Sequence, residues 1–125
     1  MRFSLLTVAL AMVSGIAIGA PNPDASTLEK RFDNARMTFF TPGLGACGVV
    51  NTDADHVVAL NGAQWDGGAH CNQNVVINAN GVTTTATIVD LCPGCPFGGL
   101  DLSTGLFSMF ASTDLGVISG TWNFA

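Results

Sequence analysis

Two carboxylates, Asp90 and Asp101, stand on either side of Cys92-Pro93-Gly94-Cys95. A pair of acids flanking one loop whose cysteines can cross-link suits three kinds of chemistry. As acid and base they would cleave a glycosidic bond with inversion, which needs carboxyl groups about 6.5–9.5 Å apart. As hydrogen-bonding groups they would contact a hydroxyl-rich surface, and as structural groups they would brace a turn or a helix start. Asp90 closes an alternating strand pattern, and Asp101 precedes Ser103, a residue type that caps helices.

The elements that must position these acids are mostly strands. Period-2 alternation marks residues 36–40, 56–60, 74–78, 82–89 and 117–123 as strands. Asn80-Gly81, between two of them, predicts a tight hairpin. One helix is predicted after Ser103, with Leu106, Phe107, Met109 and Phe110 as its buried stripe before Gly116. A shorter helical turn fits residues 61–65, and Trp122 on the last strand reads as core. Trp65 lies in the polar run Gln64-Trp65-Asp66-Gly67-Gly68, where its ring either stacks on a sugar or anchors the loop.

The N-terminus reads as an address. Arg2, an apolar run over 5–18 and the small pair Gly19-Ala20 predict a signal peptide over 1–20; the run is too short, and too interrupted by Ser14-Gly15, for a membrane span. Residues 21–31 turn polar and end in Lys30-Arg31, as a propeptide with a dibasic processing site would, leaving one domain over 32–125. A secreted, extracellular monomer is therefore expected. Residues 32–125 hold seven Asp, one Arg, no Glu and no Lys, a formal charge of −6 with neutral histidines. That sign opposes nucleic acid and anionic membranes and leaves neutral polysaccharides and cationic surfaces open as partners.

Four cysteines in an oxidising compartment read as two disulfides under a modest core. Of the three pairings, Cys47 with Cys71 and Cys92 with Cys95 is favoured, the crossed ones staying open. Chain entropy assigns about 3.5 kcal/mol to the longer loop and about 2 kcal/mol to the shorter. A single Cys-x-x-Cys followed by a glycine-rich loop, rather than a helix N-terminus, argues against a thiol oxidoreductase and against zinc held with His56 and His70. Asn51-Thr52-Asp53-Ala54-Asp55 spaces oxygen ligands like a calcium loop, yet His56 replaces the required Gly and Gly62 the closing Glu. No metal and no cofactor is expected.

Five motifs in order carry a family resemblance: Met37-Thr38-Phe39-Phe40, Gly45-Ala46-Cys47-Gly48, Val89-Asp90-Leu91-Cys92-Pro93-Gly94-Cys95, Leu100-Asp101-Leu102-Ser103, and Gly116-Val117-Ile118 with Thr121-Trp122. Together they resemble the RlpA-like double-psi β-barrel family over essentially all of residues 32–125. The chain is most similar to small secreted fungal members related to barwin, to loosenins and to the first domain of expansins. The resemblance implies a mainly β fold, a six-stranded double-psi β-barrel with one or two short helices. It also implies a polysaccharide groove lined by Thr38, Asp90 and Asp101, with Asp101 in a turn before the helix. Expansin-like grooves tend to place an aromatic where this chain has Cys92, so Trp65 or Phe97 would have to substitute. Asn72 also stands where relatives commonly have glycine.

The same comparison weighs against hydrolysis. Barrel-type inverting cellulases take their base from an Asp shortly after the first strand, whereas residues 41–47 contain no acid. The expected function is noncatalytic binding or loosening of cell-wall polysaccharide, cellulose or chitin, by exchange of hydrogen bonds. Two alternatives remain: a protease inhibitor or effector, because a bacterial papain inhibitor shares the barrel, and a glycan-cleaving enzyme of the lytic transglycosylase or endoglucanase kind. In that last case Asp101 would be the catalytic acid.

Overall fold

Alternating apolar residues from six segments line one interior. The computed structural model describes residues 31–125; the expected signal peptide and propeptide lie outside these, apart from Arg31. Among the described residues the strands are β1 (Arg31–Phe40), β2 (Val57–Asn61), β3 (Asn74–Ala79), β4 (Val82–Cys92), β5 (Leu100–Ser103) and β6 (Ile118–Phe124), with one α-helix, α1 (Thr104–Phe110), between β5 and β6. They close into a barrel in the order β1-β5-β2-β4-β3-β6, with β1–β5 and β2–β4 parallel and the other pairs antiparallel. Met37, Val58, Leu60, Val75, Ile77, Ile88, Leu100, Leu102 and Trp122 fill the inside, and Leu106, Phe107 and Phe110 of α1 join the same core. Among the described residues no helix is long and apolar enough to cross a membrane.

The six-stranded barrel is as expected, and the differences from the periodicity are local. Periodicity marked five strands; the sixth is β5, which takes the Asp-Leu-Ser stretch expected as a turn. Only Leu100 and Leu102 carry its alternation, too short a run to announce a strand. Ser103 does not cap α1 with its side chain; its hydroxyl donates to the Asp55 carbonyl instead. Met109 is 42% exposed rather than core, because a seven-residue helix turns only one narrow stripe inward. β1 starts five residues earlier than its pattern, since a bulge between Phe32 and Ala35, with Asn34 at φ 52°, breaks the alternation. The Asn80-Gly81 hairpin is present, with φ of 51° and 80° joining Ala79 to its partner Val82. The helical turn near 61–65 is a 3₁₀ turn, Gly62–Gln64, with Asn61 Oδ1 accepting from the Gln64 amide at 3.0 Å.

The disulfides are Cys47–Cys71 and Cys92–Cys95, the favoured pairing. The first fastens the segment after β1 to the segment before β3. That segment lies so close to β4 that a Cβ on Gly45 would sit 2.3 Å from the Val89 carbonyl oxygen and 3.2 Å from Asp90 Cβ. The loop between β4 and β5 is held from inside, by Trp122 Nε1 donating to Gly98 O at 2.8 Å and Asn61 Nδ2 donating to Gly99 O at 3.0 Å.

Gly45→Ala must lift this segment off β4. We expect a loss of about 1–3 kcal/mol in urea unfolding, the usual cost of forced overpacking. Amide exchange at Cys47 should quicken in the same variant; unchanged stability and exchange would show that the contact is not needed.

Candidate functional site

Strand register builds a lateral row. Thr38 on β1 pairs with Asp101 on β5, Asp101 with Ala59 on β2, and Ala59 with Asp90 on β4. Registered neighbours point to the same side of a sheet. Leu100 and Leu102 are buried inside, so Asp101 and the rest of the row face outward. Two strand spacings separate Asp101 from Asp90, about 9.5 Å between Cα positions. Ala59 lies between them in register but is covered, only 2% exposed.

Asp90 faces outward because of a bulge. Val58 pairs with Ile88 but Ala59 with Asp90, leaving Val89 as an extra residue in β4. Unbroken alternation from buried Ile88 would turn Asp90 inward; one inserted residue reverses that. The bulge also leaves the Val89 carbonyl off the β2 ladder, and the Cys47 amide donates to it at 3.1 Å. The neighbouring Ala46 amide donates to Asp90 Oδ1 at 2.8 Å, and the Leu91 amide donates to the same oxygen at 2.8 Å. Asp90 thus ties the Gly45-Ala46-Cys47 segment to β4.

Asp101 is placed differently. Its Oδ1 accepts the Thr38 hydroxyl at 2.8 Å, and it is half-buried. Burial raises its pKa above the ordinary value, and the nearby charge of Asp90 adds to that, against lowering by the Thr38 hydrogen bond and by Arg36. The two acids therefore have unlike surroundings, one braced by backbone donors and one half-buried beside a hydroxyl. No backbone donor to Asp101 is present among the described residues, so its second oxygen is available to a ligand hydroxyl.

Trp65 is not in this row. It follows the Gly62–Gln64 turn, and its half-buried ring packs against the barrel core, close to Gly68. Phe97, in the loop before β5, is 68% exposed and meets Phe32 edge-on at 6.0 Å. Ala59, Arg36 and the Ala46 amide belong to the site and escaped sequence reasoning. The one available signal was Ile88-Val89-Asp90, where two successive apolar residues break the alternation before an acid. No cluster of three or more metal-ligating side chains occurs among the described residues.

No family model matches the sequence. An EG45-like domain containing protein of Citrus jambhiri is 33% identical over 102 residues, which cover 70% of this chain and 78% of that protein. Allergen Asp f 7 of Aspergillus fumigatus is 43% identical over 82 residues, or 63% of this chain. A homolog of that allergen from Arthroderma benhamiae is 36% identical over 76 residues, or 57% of this chain. The matches span only 30% and 26% of these two longer proteins. Among solved structures, a Streptomyces papain inhibitor superposes with a TM-score of 0.68 at 30% identity, covering 76% of this chain and 94% of its own. A variant of Clavibacter michiganensis expansin in complex with cellohexaose also gives 0.68, at 24% identity, over 74% of this chain and 50% of its own; that likeness is one of fold.

Thr38→Val removes the hydroxyl that lowers the Asp101 pKa, so the carboxyl should titrate higher in carboxyl-carbon NMR, with about 1 kcal/mol lost at neutral pH. Asp101→Asn works the other way. A carboxyl whose folded pKa is raised carries a penalty that is full above that pKa and fades as pH falls through it. The asparagine variant should therefore melt at or above the wild-type temperature at pH 7, and its advantage should vanish below the ordinary carboxylate pKa of about 3.9. A wild-type advantage at pH 7 would contradict this assignment.

Proposed function

The chain belongs to the RlpA-like, barwin- and expansin-related family of double-psi β-barrels, and from that premise we propose that it is a secreted protein that binds or loosens cell-wall polysaccharide without cleaving it. The observation that carries this reading is the outward row Thr38-Asp101-Ala59-Asp90. A hydroxyl and two half-buried carboxylates on one side of the barrel give a glucan chain donors and acceptors to exchange with.

The chemistry of the row supports contact over cleavage. Inversion needs a free acid and a free base with carboxyl groups about 6.5–9.5 Å apart. Asp90, however, already takes two backbone amides on one oxygen, which makes it a brace rather than a free base. The raised Asp101 carboxyl has no second acid free to activate water opposite it. The acidic composition, the two disulfides and the expected leader over 1–20 fit work outside the cell on a neutral substrate. An expansin structure in complex with cellohexaose supports cellulose as the first ligand to try.

A second reading, inhibition of a papain-like protease, is favoured by two observations. The match to the papain inhibitor covers 94% of that chain. The segment after β1 also presents Leu44 and Val50, 73% and 69% exposed and paired across a disulfide-fastened loop. Preorganised apolar groups lose little entropy on entering a cleft.

Pull-down on insoluble cellulose and chitin should retain the protein while releasing no reducing sugar, and Asp101→Asn should bind roughly tenfold less well, the loss of one charge-assisted contact. Should the protein stay in solution with every glucan and chitin offered, the polysaccharide reading falls. Titrating papain decides the second reading: activity lost in proportion to added protein supports it, and undiminished activity at large excess removes it.

A further inference from the structure

Across the barrel from β5 and β2, the outer face of β6, β3 and the first eight residues of β4, ahead of Asp90, carries no charged side chain. Residues 74–79, 82–89 and 118–124 include no Asp, Glu, Lys, Arg or His, although the domain holds seven Asp. Outward positions there are threonine and asparagine in register. Thr121, Asn78 and Thr83 form one row across the three strands, and Asn123 and Thr85 flank Val76 in the next.

These groups are oriented by one another. Asn78 Nδ2 donates to Thr83 Oγ1, and Thr87 Oγ1 donates to Asn74 Oδ1 at 2.8 Å. Each such pair leaves outward valences: the Thr83 hydroxyl hydrogen, Asn78 Oδ1 and the Asn74 amide. At one end the face deepens into a groove of about 260 Å³ lined by Asn34, Asn78, Asn80, Ser119 and Thr121. Its rims rise at Asn34, in the β1 bulge, and at Asn80, in the hairpin turn, both with positive φ. Asn80 Nδ2 is fixed on the Phe110 carbonyl at 2.9 Å, leaving its own oxygen to accept.

The composition of this face selects its occupant. An ionic ligand finds no charge on the three strands themselves, the nearest being Arg36 beside Ser119 and Arg31, paired with Asp33, beside Asn123, and a protein core interface would need the aromatic anchors that the two rows lack. A neutral polysaccharide offers alternating donors and acceptors without charge, and a groove below the usual 300–1,000 Å³ of an enclosing pocket suits a stretch of a long chain. We propose that this charge-free face is a second contact surface for a neutral polysaccharide. The ligand class rests on the polysaccharide reading above, while the site does not share a side chain with it. With two faces on opposite sides of one barrel, a single molecule touches two neighbouring chains at once and wedges between them.

The test is amide NMR of the full protein titrated with cellohexaose and, separately, chitohexaose, in wild type, Asp101→Asn and Thr121→Glu; Ser119→Glu, fully outward, serves if Thr121→Glu misfolds. Saturable shifts at Asn78, Ser119 and Thr121 are expected in wild type and in Asp101→Asn, weakened about tenfold or lost when glutamate is placed on the face. Shifts confined to the Thr38–Asp90 row, no shifts with either oligosaccharide, or face shifts indifferent to the glutamate would each overturn the proposal. Face shifts without row shifts would uphold it while removing the function proposed for the row.

Discussion

The backbone carbonyl of Val89 is the point on which the site depends. One extra residue in β4 takes that carbonyl out of the β2 ladder, and a buried peptide oxygen must find a donor elsewhere. It finds the Cys47 amide, which brings Gly45 and Ala46 down onto β4 and sets the Ala46 amide against Asp90. The same insertion turns Asp90 to the outside. A single irregularity in one strand therefore aims the acid, docks the loop that braces it, and fixes where Cys47 meets Cys71. Bulges beside functional sites commonly re-aim a side chain in this way.

Two acids of the same type come out with different duties because their surroundings differ. Asp90 is saturated on one oxygen by peptide donors and belongs to the scaffold as much as to the surface. Asp101 sits half-buried on a central strand, with only a hydroxyl from Thr38 in direct contact and Arg36 acting at longer range. Burial raises its pKa above the ordinary value, so it holds its charge less comfortably than an exposed aspartate does.

Much of this was legible in the sequence, and what was missed has a common cause. The long alternating runs of β3 and β4, the Asn-Gly turn and the buried Trp122 follow from local pattern alone. Pairing Cys47 with Cys71 agreed with the structure because the two segments meet over the Val89 bulge, something no spacing could state. β5 shows no pattern because four residues cannot display a period, and Ser103 does not cap the helix because its hydroxyl meets the distant Asp55 carbonyl. Met109 fell outside the core since a two-turn helix has room for only three buried residues. The row itself was invisible as a row: Ala59 has no chemistry of its own and acquires meaning only from the acids that register sets beside it.

The position of β1 in the barrel has a kinetic consequence. This first strand has no partner near it in the chain; it pairs with β5 and β6, whose residues come some sixty to ninety positions later. Only β3 and β4 form a local hairpin. A chain whose opening strand waits for its closing ones has no closed core until the last strand is made, and non-local pairings of this kind make for slow folding. The Cys47–Cys71 disulfide ties the segments on either side of β2 together over a loop of moderate length and so restricts the chain from which those pairings are made.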